Sequence, residues 1–217
     1  MLLKRSIWHL KGIGIYAWVP VVVLYLITPF LIYVQYKIGE RIGDGHGALY
    51  SGIIKQCQHL YPLFSVWCMI FVMHEYIEGE GNELLYIQNK IKFIEVGILY
   101  VYYMLLMLPA FFIYCYLFHE MIWLYLKLAV ICFFYMAFTY FLTYLTKSTV
   151  ITFMAALIYT MIALFANYMK LSGLSYYSTI LYTGSKLLQE LLPFFIWSIL
   201  FFAAGLYCNH FLMKWNS

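Results

Sequence analysis

The sequence predicts an all-α integral membrane protein with six transmembrane helices in a single domain. Of the 217 residues, 65% are hydrophobic and only 10% are charged, and the mean hydropathy is +0.84. Soluble domains are roughly 45–50% apolar, so this composition excludes an ordinary soluble fold. The formal charge of +4 is spread along the chain, and the sequence therefore contains no basic cluster of the kind that binds nucleic acid.

Six windows without Asp, Glu, Lys or Arg are long enough to span a bilayer. A span needs roughly 17–25 residues, and a helix satisfies its own backbone hydrogen bonds inside the hydrocarbon. No charged residue lies at the centre of a window, which disfavours an ion-coupled carrier. The predicted spans are residues 12–36, 56–74, 96–119, 128–146, 148–169 and 191–213.

Residues 1–11 precede the first span and predict a helix that lies flat on the membrane surface. Leu3, Ile7 and Leu10 recur at helical spacing, while the lysines fall on another face. The span that follows exceeds the roughly 7–15 residues of a signal-peptide core, so we expect it to be retained.

Prolines and connections complete the predicted topology. Proline removes a helical hydrogen bond, so the prolines inside predicted spans should bend their helices: Pro20, Pro29 and Pro109. Two others lie near span starts, where proline is tolerated: Pro62 and Pro193.

The connections differ in character. Residues 37–60 are rich in glycine and polar residues and predict an irregular outer loop, whereas residues 118–127 and 146–149 predict tight turns. Residues 170–190 are too polar to span, yet they carry Leu, Ile and Tyr, which predicts an amphipathic segment. With both termini inside, seven cations lie inside and six outside, so charge leaves the orientation nearly undecided.

Histidine chemistry is not supported by any motif. His-Glu pairs begin at His74 and His119, but neither is followed by the second histidine four residues on that a zinc protease needs. A zinc site assembled from scattered His9, Cys57, His59 and His74 remains open, without ligand spacing to support it. No metal site is therefore predicted.

Nucleophilic and nucleotide chemistry are also unsupported. The nearest match to an intramembrane serine nucleophile is Ser172 in KLSGLS, which lacks a flanking glycine pattern and a histidine partner in the following span. The chain has no Gly-Lys dipeptide and hence no Walker A loop to hold phosphates. We predict no catalytic or cofactor-binding residue, and any ATP must be bound by another chain.

The segment HEYIEGEGNELLYIQNK, residues 74–90, connects spans two and three. Its acidic residues come first, and Lys90 and Lys92 follow at its end. This order complements a helix macrodipole. We expect a short amphipathic helix on the membrane surface, on the same side as both termini.

Together with six spans and an amino-terminal surface helix, this segment resembles the ABC-2 family of transporter permeases. There, the same connection runs from a glutamate through glycine and small polar residues to a second glutamate, a leucine pair and basic residues. The matching residues are Glu75, Gly81, Asn82, Glu83, Leu84, Leu85, Lys90 and Lys92. The resemblance implies a coupling helix here and a re-entrant element in residues 170–190.

The resemblance further implies the transmembrane permease subunit of an ATP-driven ABC exporter, which is not itself an enzyme. Two copies of a separate ABC ATPase would bind ATP and Mg²⁺, and a second permease, identical or related, would complete a dimer among membrane lipids. The expected location is a bacterial plasma membrane, with both termini cytoplasmic. The expected ATPase-coupling residues, Glu83 foremost, are Glu75, Glu78, Glu80, Glu83, Leu84 and Leu85.

The aromatic content bears on the cargo. The 23 Tyr and 18 Phe are too many for two interfacial belts, and they argue for an amphipathic or hydrophobic cargo. For any single aromatic residue, helix packing or lipid contact is the favoured explanation. Within the family, a small aromatic-rich permease is similar to exporters of amphipathic peptides such as phenol-soluble modulins. A permease for lipids or hydrophobic drugs, and a six-span protein without transport activity, remain alternatives.

Overall fold

The structure, a computed structural model, describes residues 18–78, 93–169, 175–178 and 184–214. These residues form six helices and no strand, and each helix is long and apolar enough to cross a membrane. The all-helical, six-span prediction is thereby confirmed. The helices are α1 (Trp18–Ile42), α2 (Gly45–Ile77), α3 (Phe93–Leu117), α4 (Met121–Thr146), α5 (Thr149–Tyr168) and α6 (Ser185–Lys214).

Three predicted elements lie wholly or partly outside the described residues. The surface helix of residues 1–11 and most of the coupling segment, 79–92, fall there. Of the predicted re-entrant stretch, 170–190, the structure describes 175–178 and the beginning of α6. The surface, coupling and re-entrant assignments therefore stay predictions.

The predicted outer loop of residues 37–60 is wrong. Helix α1 continues to Ile42 and α2 begins at Gly45, so only two residues connect them. Gly43 ends α1 with φ +87°, a left-handed conformation that favours glycine. Asp44 then caps α2, because its carboxylate accepts the backbone N–H of Gly47 at 3.1 Å. The two glycines that follow, Gly45 and Gly47, belong to α2 and form no turn.

The other described turns are also short. Helix α4 already begins at Met121, so the predicted turn of residues 118–127 is too long, and Lys127 lies inside the helix. The predicted turn between α4 and α5 is confirmed, with Lys147 at φ +54° ending α4. The charge-free windows stopped at charged residues that the helices in fact include.

Helix α1 contains a π-helical turn, Val23–Ile27, directly before Pro29. Proline has no N–H to donate, and Thr28 donates both its backbone N–H and its hydroxyl to the carbonyl of Val23. The bends predicted at Pro20, Pro29 and Pro109 stay predictions. The expectation that Pro62 and Pro193 sit near span starts is wrong, since both lie inside longer helices.

Helix α4 is the centre of the bundle and packs against α2, α3, α5 and α6. On its α6 side, Phe134 meets Phe194 edge-on at 5.7 Å, and the ring of Tyr140 occupies the space where Gly205 lacks a side chain. On its α5 side, the Thr143 hydroxyl donates to that of Thr152 at 3.3 Å. Close packing and interhelical hydrogen bonds of this kind hold helices together in lipid, where the hydrophobic effect between helices is absent.

The helices define two ends of the bundle. The Glu78 end contains the beginnings of α1 and α5 and the ends of α2, α4 and α6. The Ser178 end contains the α1–α2 turn, the α3–α4 turn and residues 175–178. Each end has a polar cluster that fastens a connection to the bundle.

Candidate functional site

Two of the six predicted coupling residues are described, and both lie at the Glu78 end. Glu75 is half-buried in the last turn of α2, and Glu78 is the residue that follows this helix. The others fall outside the described residues: Glu80, Glu83, Leu84 and Leu85. The structure therefore describes only the beginning of the predicted coupling segment, and the rest of the segment stays a prediction.

Glu78 ties the end of α2 to the beginning of α5. Its Oε1 accepts the backbone N–H of Thr149 at 2.8 Å and the Thr149 hydroxyl at 3.2 Å. Its Oε2 lies 2.8 Å from Nδ1 of His74, one turn earlier in α2. The first backbone N–H groups of a helix have no partner inside the helix, and a carboxylate satisfies them well. Glu78 thus serves as an N-terminal cap supplied by a different helix.

The same geometry stabilises the ionised form of Glu78. The backbone N–H of Thr149 is the largest contribution, its hydroxyl and His74 add to it, and together they lower the pKa of Glu78 below the usual glutamate value. Ser148, the residue at the cap position of α5, makes no side-chain cap of its own. We define these contacts between Glu78, His74 and Thr149 as the Glu78 joint.

A second polar cluster, at the Ser178 end, was missed by the sequence analysis. Gln58 of α2 is buried and makes two hydrogen bonds to the backbone of Ser178. Its Oε1 accepts the Ser178 N–H at 3.0 Å, and its Nε2 donates to the Ser178 carbonyl at 3.3 Å. Lys127 of α4, only 2% exposed, donates from Nζ to the Ser178 hydroxyl at 2.7 Å. A single residue of the α5–α6 connection is therefore held by α2 and α4.

Lys127 also faces a carboxylate. Its Nζ lies 3.6 Å from Oε2 of Glu190 on α6, which is an ion-pair distance but longer than a hydrogen bond. The Oε2 atom of Glu190 is buried and makes no hydrogen bond within the described structure. The predicted bounds of spans four and six are too short at this end, because Lys127 and Glu190 both belong to the spanning helices.

A chain of tyrosines continues the cluster into the bundle. The hydroxyl of Tyr176 donates to that of Tyr177 at 2.9 Å and lies 3.0 Å from that of Tyr135, which is 2.8 Å from the Thr160 hydroxyl. The ring of Tyr177 also lies against that of His59, tilted by 43° with ring centroids 4.6 Å apart. Residues 175–178 are thereby fixed to α2 and α4, and are linked to α5 through Tyr135.

A cleft of about 1050 Å³ opens beside this cluster, between the α1–α2 hairpin and α5. Its polar lining includes Gln35, Lys55, Gln58 and Ser178, and its apolar lining includes Ile38, Ile42, Met161 and Phe165. Ligand sites in proteins are typically apolar concavities with a few convergent polar groups. The lining of the cleft is therefore mixed, with apolar side chains from α1 and α5 and polar groups at Gln58 and Ser178.

The cluster does not support nucleophilic catalysis. Lys127 donates to the Ser178 hydroxyl, so the hydroxyl is an acceptor in this arrangement. The N–H of Ser178 is already given to Gln58 and is therefore not free to stabilise an oxyanion. The weaker sequence candidate, Ser172, lies outside the described residues.

The described residues do not support a metal site either. Within the ranges that the structure describes, no group of three or more His, Cys, Asp or Glu is placed to hold a metal ion. Of the scattered zinc candidates, His59 and His74 are separated by fifteen residues of one continuous helix, which is roughly 22 Å. These two histidines cannot share an ion.

Comparison of the chain with known protein families, characterised proteins and solved structures found no match.

Proposed function

We propose that the chain is the transmembrane permease subunit of an ATP-driven exporter for an amphipathic or hydrophobic cargo, with an amphipathic peptide as the favoured cargo. A separate ABC ATPase, in two copies, binds ATP and Mg²⁺ and docks on the segment between α2 and α3. A second permease copy completes the pathway. The Glu78 end faces the cytoplasm of a bacterial cell.

The Glu78 joint is the observation that carries this proposal. The segment proposed to meet the ATPase includes Glu78, and the carboxylate of Glu78 is hydrogen-bonded to the first residue of α5. A movement of that segment therefore acts on α2 and α5 together. Conformational coupling requires contacts that differ between two states, and a bridging carboxylate between two spans provides such a contact.

The cleft at the opposite end supports the nature of the cargo. Its apolar side is formed by α1 and α5, whose residues Ile38 and Phe165 are exposed on the bundle surface, so the cleft is open at this side. Its polar side contains amide, hydroxyl and lysine groups. An amphipathic molecule could bury its apolar part against the helices and keep its polar part hydrated.

Two alternatives predict different results. A permease for lipids or hydrophobic drugs would use the same cleft and the same ATPase and differ only in cargo. A six-span protein without transport activity would use neither. The ATPase therefore separates the classes, and the cargo separates the two kinds of exporter.

Copurification with candidate ATP-binding-cassette ATPases, beginning with those encoded beside the gene, tests the proposal. We expect a stable complex with altered ATP hydrolysis. Glu83→Lys should weaken this complex while the spans remain inserted, because the charge reversal falls in the proposed docking segment. Glu40→Lys, the same charge reversal at the Ser178 end, is the matched control and should leave the complex intact. Absence of any complex would remove the exporter class, and equal effects of both variants would remove the role of Glu83.

A further inference from the structure

We propose that Lys127 is a two-position switch that holds either Ser178 or Glu190, and that this choice sets the depth of the cleft. Residues 175–178, named the strap, include two residues that line the cleft, Tyr177 and Ser178. The proposal deepens the proposed function and rests on it, since it supplies the moving part on the cargo side. The structure shows the position in which Lys127 holds the strap.

Polar contacts fasten the strap to two helices, α2 and α4. Gln58 holds the backbone of Ser178 through two hydrogen bonds, and Lys127 holds its hydroxyl. Farther into the bundle, the Tyr176 hydroxyl meets that of Tyr135. Hydrogen bonds can be exchanged one for another with little net change in free energy, provided that each buried group finds a new partner. The strap can therefore change position if the groups it leaves are satisfied.

Lys127 and Glu190 both have hydrogen-bonding groups that are not in use. An ammonium group has three N–H donors, and within the described structure Lys127 makes one hydrogen bond, to Ser178. The Oε2 atom of Glu190 is buried and has no hydrogen-bond partner there. A buried polar group without a partner is rare in folded proteins and calls for an explanation. A spare donor and a spare acceptor therefore face each other across the α4–α6 contact.

The distance between these groups places the second position within reach. The 3.6 Å separation would need to shorten by roughly 0.8 Å to reach the ~2.8 Å of a charge-assisted hydrogen bond. Such bonds are roughly twice as strong as bonds between neutral groups. Nζ lies within hydrogen-bond distance of Ser178 but not of Glu190, so the two groups compete for the position of Nζ and not for its donors. Gln58 keeps the strap in place against this competition.

A ligand in the cleft or a shift of α6 would bias the switch. Ser178 and Tyr177 line the cleft, so a bound molecule contacts the strap directly. Glu190 belongs to α6, so a shift of that helix along α4 changes the distance to Lys127. When Lys127 turns to Glu190, Ser178 loses its charged donor and this wall of the cleft loosens. Cargo binding and helix movement are therefore linked through one lysine.

Hydrogen exchange of the strap tests the switch on the purified chain in detergent or nanodiscs, without ATPase or cargo. The amide of Ser178 reports on it, because that N–H is held by Gln58 and not by Lys127 itself. Exchange of the peptide covering residues 175–178 is measured relative to α5 as an internal reference. The double variant Lys127→Met/Glu190→Leu leaves no buried charge behind, so it is expected to fold.

We expect strap exchange to become about tenfold faster in the double variant, the factor by which one hydrogen bond from a charged donor shifts an opening equilibrium. The single variant Lys127→Arg keeps a charged donor at this position, so its strap should exchange as slowly as that of the wild type. Glu190→Asp should slow the exchange below the wild-type rate, because the shorter side chain competes less well while keeping its charge. Lys55→Met, which removes a cation from the cleft wall without touching the strap contacts, is the control and should change nothing.

Wild-type exchange in the double variant would overturn the proposal, because Lys127 would then not hold the strap. Faster exchange in Glu190→Asp would also overturn it, because the carboxylate would then support the strap and not compete with it. This second arm remains decisive if the double variant does not fold. Since no ATPase takes part, failure of the switch is distinguishable from failure of the proposed exporter function.

Discussion

The Glu78 end and the Ser178 end differ in how they hold a connection between spans. Both fasten a connection between spans by a charged side chain. At the Glu78 joint the charge is partly exposed, and both carboxylate oxygens have partners. At the Ser178 end the lysine is buried, and the facing carboxylate oxygen has no hydrogen bond in the part of the chain that is described. We propose that the satisfied joint transmits movement and that the unsatisfied pair changes partners.

The largest expected effect on stability is at the Ser178 end, where Lys127 is buried. Lys127→Met removes one member of a buried ion pair and should lower the free energy of unfolding by roughly 3 kcal/mol, at the low end of the range for such changes because the Glu190 side chain is 38% exposed. Denaturant titration in mixed micelles measures this. The matched control is Lys55→Met, an exposed lysine, with a change within about 0.5 kcal/mol. Equal losses in both variants would mean that burial of Lys127 is energetically irrelevant.

The next effect concerns the tight α1–α2 turn at the Ser178 end. A Cβ atom on Gly39 would collide with the Cβ of Ala48 and approach the carbonyl of Asp44 to 2.9 Å. Gly39→Ala should therefore destabilise the protein by about 1–3 kcal/mol, as overpacking does. Gly97→Ala in α3 meets no atom within 4 Å and should be neutral or stabilising, since alanine favours helix. Thermal unfolding of the two variants side by side makes the comparison, and a harmless Gly39→Ala would argue against so close a turn.

A smaller effect is expected at the Glu78 joint. Glu78→Ala removes the cap of α5 and should lower the free energy of unfolding by about 1 kcal/mol. Glu78→Gln keeps an oxygen that can accept the Thr149 N–H, so it should retain most of the stability. The two variants together separate the hydrogen bond from the charge. If both variants were as stable as the wild type, the cap would contribute nothing.

The smallest effect is a pH dependence of the same joint. The folded protein lowers the pKa of Glu78, so the stabilisation is present above the ordinary glutamate value of about 4.5 and is lost as the pH falls through the lower folded value. The stability difference between the wild type and Glu78→Gln should therefore be constant near neutral pH and shrink below about pH 4.5. Melting curves from pH 6 to pH 3 measure it. A difference that does not shrink would exclude ionisation of Glu78 as its origin.

The number of spans could be read from the sequence because hydrocarbon thickness imposes one requirement on every helix. Their ends could not, because the windows were closed at charged residues. Helix α4 includes Lys127, whose charge faces Glu190, and α2 includes Lys55, which is exposed near the end of its span. A charged residue ends a span only if the fold offers it neither a partner nor water.

The two polar clusters show the same limit for sites. Glu78 could be singled out because acidic residues concentrate in its segment, but its partner Thr149 lies 71 positions away. Gln58 and Ser178 are 120 positions apart, and neither stands out from its neighbours. Such contacts are created by the packing of α2, α4 and α5, for which no local pattern exists. The isolated lysine in MIWLYLKLAV was the one signal that could have pointed to the Ser178 end.

Hydrogen exchange of the strap in a complex with the ATPase tests most directly whether the two ends work together. The complex is compared without nucleotide and with ATP hydrolysis trapped by vanadate. We predict that strap exchange differs between these states, and that Glu83→Lys removes the difference while Glu40→Lys does not. A complex that hydrolyses ATP while the strap exchanges at one rate in both states would contradict the proposed coupling between the Glu78 end and the Ser178 end.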